Sequence, residues 1–160
     1  MTDKHERPML EFQQFDPIKL PLIKRFYKNH YPGSKPKSDE QVIVALKDRE
    51  IVGVVRFRMI GQYRLLTGMA VEAQSRQQGI GKQLLDYCQK QWLNPATFCF
   101  AYTHLEHFYQ QGHFIQIAPN ALPAELHLLF ERYSRSGKDL IPMQYQAKYC
   151  QEWSPFLAFS

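Results

Sequence analysis

A chain of 160 residues, 44% apolar and 22% charged, has the size and composition of one folded domain, which we place at 8–150 with terminal extensions at 1–7 and 151–160. Its longest apolar runs, IVGVV and LHLLF, fall far short of the roughly 20 residues a membrane span needs, and MTDKHERPML lacks a signal-like apolar stretch, so we expect a cytoplasmic protein with no membrane partner. The net charge of +5 is modest and leans on Lys19, Lys24, Arg25, Lys28, Lys35 and Lys37, a solvated surface rather than a nucleic-acid track, although an anionic cofactor would profit from it.

In chain order, LEFQQF alternates like a strand. Asp16 and Pro17 then open a helix as N-cap and first residue, with Ile18, Leu22, Phe26 and Tyr27 on its apolar face. PGSKPKSDE is a loop. QVIVAL, IVGVVRFRMI and YRLLTGMAV are rich in β-branched and aliphatic residues, and their short KDRE and GQ connections predict an antiparallel meander. At RQQGIGKQLLDYCQKQWL the period changes, with Ile80, Leu84, Leu85, Cys88 and Trp92 at helical spacing from about Gln78. TFCFAY is a strand, HLEHFYQQ a short helix ended by Gly112, and HFIQIA another strand. Leu122, Leu126, Leu129, Phe130 and Tyr133 mark a further amphipathic helix, and IPMQYQAKY a last strand. Cys88, Cys99 and Cys150, odd in number and far apart, suit reduced thiols, and no metal is implied.

The chemically sharpest feature is the strand LLTGMAV leading into RQQGIGK at a helix start. A helix N-terminus offers unpaired N–H groups and partial positive charge, and glycines there let backbone approach a phosphate. Spacing excludes two common phosphate loops. A Walker loop would need Gly at Arg76 and Ser or Thr at Gln83, and a dinucleotide fingerprint would need Gly or Ala at Leu84.

The run MAVEAQSRQQGIGKQLL resembles the acetyl-CoA motif of the GNAT superfamily, in which a strand with an apolar-x-Val end leads to (Arg/Gln)-x-x-Gly-x-(Gly/Ala); the matching residues are Arg76, Gly79 and Gly81. About thirty residues downstream, HFYQQGHF is similar to the family's Phe-Tyr-x-x-x-Gly-Phe segment, with His113 inserted before Phe114. The resemblance covers roughly positions 10 to 117. It implies an α/β (α+β) acyl-CoA N-acyltransferase fold, a mixed and mostly antiparallel central sheet flanked by helices. It also implies transfer of an acetyl group from acetyl-CoA to a primary amine of a small molecule, peptide or protein lysine. The backbone of Met69, Ala70 and Val71 would pair with the pantetheine arm. Amides across Arg76, Gln77, Gln78, Gly79, Ile80, Gly81 and Lys82 would hold the pyrophosphate, with charge from Arg76 and Lys82. Tyr109 matches the family's tyrosine beside the CoA sulfur, where a phenol can donate a proton as the thiolate leaves.

Two departures from the family pattern stand out. RLLTGMAV carries no carboxylate to serve as a base; Glu72 falls just past it, and His104, Glu106 and His107 lie near Tyr109 in sequence. A module that holds acyl-CoA without turnover is therefore the competing reading. The helix predicted after Ile117 replaces the short turn common in relatives, and acceptor contact, a homodimer interface and a core cover are its alternative uses.

Overall fold

The computed structural model describes residues 10–146; the expected extensions, Cys150 and the end of the last predicted strand at 147–149 lie outside them. Seven strands form one sheet in the order β1-β2-β3-β4-β5-β7-β6. The β1/β2, β2/β3, β5/β7 and β6/β7 ladders are antiparallel and β4/β5 is parallel, giving the mixed, mostly antiparallel sheet expected. Chain contacts group into two compact units, one ending at Phe57 and resuming over Gly68–Tyr87, the other made of Arg58–Thr67 and the chain from Cys88 onward.

In the first unit, β1 (Leu10–Gln14) pairs with β2 (Gln41–Lys47), which pairs with β3 (Glu50–Ile60). Val42, Ile43, Val44 and Ala45 are all buried, so β2 is covered on both faces. Asp48 and Arg49, at φ 53° and 68°, make the left-handed two-residue turn that suits the twist of a hairpin. Val42, Val44 and Val54 cluster with Phe15, Ile23, Phe26 and Tyr27 under α1 (Leu20–His30). On the opposite face, a Cβ built at Gly53 would meet Ile80 Cγ2 at 3.3 Å and Leu84 Cδ2 at 3.5 Å, so this glycine lets α2 (Ile80–Gln91) approach β3 closely.

The stripe expected on α1 needs correction. Ile18 and Leu22 are 80% and 45% exposed, and the buried residues are Ile23, Phe26 and Tyr27. Asp16 does cap and Pro17 does open the element, with Asp16 Oδ1 accepting from the Ile18 N–H at 3.0 Å, but the first turn, Pro17–Lys19, is 3₁₀. Its three residues per turn shift the phase by which the α-helix proper begins, which rotates the apolar stripe by about one residue.

In the second unit, the opening of β4 (Tyr63–Val71) pairs with β5 (Thr97–Tyr102) through Arg64↔Thr97, Leu65↔Phe98 and Leu66↔Cys99. β7 (Leu140–Tyr145) lies between β5 and the short β6 (Phe114–Gln116). The helix expected between the last two strands is α4 (Ala124–Arg135), and its Leu126, Leu129 and Phe130 close a core with Leu122, Leu65 and Phe98. Helix α3 (Glu106–Gln111) follows a 3₁₀ turn at Thr103–Leu105. It stops as expected at Gly112, yet Gly112 has φ −94° and the left-handed turn falls on His113, φ 70°. Among the described residues no helix is long and apolar enough to cross a membrane.

Candidate functional site

The first unit brings Met69, Ala70 and Val71 at the end of β4 together with Arg76, Gln77, Gln78, Gly79, Ile80, Gly81 and Lys82 at the start of α2. Gln77 and Gly79 take left-handed φ values of 70° and 80°, which curl the backbone before the helix. The first helical bond with a residue outside α2 runs from the Gln83 N–H to the Gly79 carbonyl at 3.0 Å. The amides of Ile80, Gly81 and Lys82 therefore precede the i→i−4 ladder and stand at the positive end of the helix.

The loop is braced from α1. Arg76 Nη2 donates to the His30 carbonyl at 2.6 Å and its Nε to the Val71 carbonyl at 3.0 Å. The Ala73 N–H donates to His30 Nδ1 at 3.2 Å. Ser75, buried beneath, donates its hydroxyl to Glu72 Oε1 at 2.6 Å. Arg76 thus holds the loop's shape, and the Glu72 carboxylate is engaged in a local turn. Lys82, exposed, pairs with Asp86 at 3.3 Å.

Midway along β4, Gly68 has φ +58°, a left-handed residue inside a strand. The Tyr27 hydroxyl donates to its carbonyl, and burial drives the Tyr27 phenol well above its ordinary value, against the pull of the nearby Arg56 guanidinium. Arg56 donates Nη1 to Glu40 Oε1 at 2.8 Å and Nη2 to Ser34 Oγ at 2.7 Å. Sequence reading missed this network, although a signal was present: in IVGVVRFRMI, Arg56 keeps the alternation of inward Val54 and so carries a charge toward the core.

The second unit holds Tyr109, on α3 and 6% exposed, its ring edge-on to Phe108 and Phe114 with centroids 5.0 and 5.9 Å away. Its hydroxyl hydrogen-bonds Cys99, whose thiol is pushed up to about 12 by burial and drawn part-way back by that bond. Cys99 forms the last β4/β5 pair, opposite Leu66. The other titratable candidates face elsewhere: Glu106 Oε2 accepts from Gln110 at 3.2 Å, His107 Nε2 lies 3.1 Å from Gln111 Nε2, both on the exposed side of α3, and His104 is exposed beside Tyr102.

A sequence family described as an acetyltransferase (GNAT) domain matches residues 38–116, which contain β2 to β6, the braced loop and Tyr109. No curated protein sequence matches the chain. Solved structures share the fold. N-acetylglutamate synthase from Neisseria gonorrhoeae, complexed with coenzyme A and N-acetyl-glutamate, is 13% identical over 89% of this chain with a TM-score of 0.63, and this chain spans 36% of its length. A GNAT-family acetyltransferase from Staphylococcus aureus is 19% identical over 73% of this chain and 91% of its own, TM-score 0.56. An acyl-CoA N-acyltransferase from Pseudomonas aeruginosa is 15% identical over 86% of this chain and all of its own, TM-score 0.60. The domain match over residues 38–116, together with the fold shared by these solved structures, makes the chain similar to the GNAT N-acetyltransferases, enzymes that take their acetyl group from acetyl-CoA.

Proposed function

We propose that this protein binds acetyl-CoA along the end of β4 and the start of α2 and transfers the acetyl group to a primary amine by direct attack on the thioester. The observation that carries the reading is the left-handed Gly79 opening α2 immediately after the curl at Gln77, because a helix start preceded by left-handed residues is a backbone form that suits a phosphate. The backbone of Met69, Ala70 and Val71 pairs with the pantetheine arm, and the amides from Arg76 to Lys82 hold the pyrophosphate. Tyr109 donates its proton to the departing CoA thiolate. Its hydroxyl already hydrogen-bonds one sulfur, that of Cys99.

The amine must attack in its neutral form. With Glu72 held by Ser75 and the α3 candidates facing solvent, a water chain is the route we assign for its proton. A panel of small amines, peptides and lysine-bearing proteins, assayed by release of free CoA thiol, tests the reading. Acceptor-dependent thiol release supports transfer. Tight acetyl-CoA binding with no release from any acceptor favours a sensor that holds acyl-CoA without turnover.

A further inference from the structure

Arg56 is a full cation inside the first unit, 4% exposed. Its guanidinium reaches Glu40 through Nη1 and Ser34 through Nη2, and lies 4.7 Å from the centroid of the Tyr27 ring. Glu40 Oε1 in turn accepts the Lys37 N–H at 2.8 Å, which ties the pair to the loop before β2. Replacing a buried ion pair by apolar residues is often neutral or stabilising, so stability alone does not call for an arginine here.

Gly68 shows what the arginine shapes. A Cβ built there would fall 2.6 Å from Arg56 Nη2 and 2.7 Å from its Nε, so the guanidinium packs directly on the glycine. Tyr27, stacked under the guanidinium, donates its hydroxyl to the Gly68 carbonyl. The arginine fixes the ring, the ring fixes the carbonyl, and the guanidinium occupies the space a side chain would take. Together they hold a φ of +58° within a strand, and the residues that follow are Met69, Ala70 and Val71.

We propose that Arg56 is a positioning residue for acetyl-CoA: by clamping the left-handed kink at Gly68 it sets the line of backbone that the pantetheine arm pairs with. This rests on the assignment of that backbone under the proposed function. A lysine offers a compact point charge that can meet Glu40 or Ser34 but cannot fork between them, so the planar group is the required one.

The test titrates CoA calorimetrically into the wild-type protein, Arg56→Lys and Arg56→Met, and follows amide hydrogen exchange at Met69–Val71. Leu126→Ala, a cavity in the core under α4, serves as a destabilised control. We expect Arg56→Met to raise the CoA Kd about tenfold or more, Arg56→Lys to fall between it and wild type, and exchange at Met69–Val71 to quicken in both while the control matches wild type. If Arg56→Met does not fold, Ser34→Ala removes one arm of the fork and should give the same pattern at smaller size. A folded Arg56→Met, or Ser34→Ala in its place, with wild-type Kd and exchange overturns the proposal. A wild-type protein that fails to bind CoA overturns the cofactor assignment first, and this role with it.

Discussion

Substitution at Gly79 separates the cost to the fold from the cost to the ligand. A Cβ there would find Gln83 Nε2 at 4.0 Å as its nearest neighbour, an ordinary contact, so Gly79→Ala meets no steric obstacle. What it meets is the φ of +80°, where a side chain costs about 1–2 kcal/mol, offset in part by a less flexible unfolded chain. The net should be about 1 kcal/mol, or roughly 2–4 °C in melting temperature for a chain of this length. Gly79→Glu adds a negative charge at the helix end; against a phosphate about 5 Å away at an effective dielectric near 20, the repulsion is about 3 kcal/mol, roughly two orders of magnitude in Kd. Melting with and without CoA reads both terms. At one hundred times Kd the ligand should stabilise wild type by about 2.7 kcal/mol, and Gly79→Glu should lose nearly all of that shift while melting within a few degrees of Gly79→Ala. A Gly79→Glu protein that binds CoA as wild type does would refute the placement of the pyrophosphate.

Tyr109→Phe should lower turnover about tenfold to a thousandfold with little change in acetyl-CoA affinity, since the hydroxyl acts as charge reaches sulfur; a full-rate variant that is only less stable, by about 1 kcal/mol, would reduce the residue to a partner of Cys99. Cys88 and Cys99 are buried with thiols pushed up to about 12, so peptide mapping after iodoacetamide treatment at neutral pH should find both unmodified until the protein unfolds. In the unfolded chain these thiols ionise near pH 9. The folded state therefore holds their protons more tightly, and stability should be fully present below that point and fall as pH rises toward 12, measured by urea melts across the range.

Local pattern carried much of this architecture. β2 and β3 are visible as unbroken β-branched and aliphatic runs joined by short turns, α2 and α4 because each buries one face at helical period, and the RQQGIGK string lies at the helix start. What escaped reading depends on phase or on distance along the chain. A 3₁₀ turn rotated the stripe of α1, a change no periodicity count registers. Tyr27 and Gly68 meet across 41 positions and Arg56 and Glu40 across 16, so only the folded sheet discloses that a loop glutamate, a helical tyrosine and a strand glycine share one arginine. Arg76 matched a family position by type, yet its bonds to the His30 and Val71 carbonyls became visible only with α1 in place.

The position of β7 bears on how the polypeptide is made. It is the last described strand, yet it sits between β5 and β6, so Phe98 must wait for Gln144 and Phe114 for Tyr145. Until Leu140–Tyr145 has left the ribosome, β6 has no neighbour and one side of β5 presents bare amides and carbonyls, the kind of edge that recruits other nascent chains. Pairing across the long stretch between β5 and β7 carries a loop-closure cost that only the finished segment can offset, so this edge is where chaperone holding would count. A chain truncated before Leu140 should aggregate through β5, while one released with Leu140–Tyr145 in place can close the sheet.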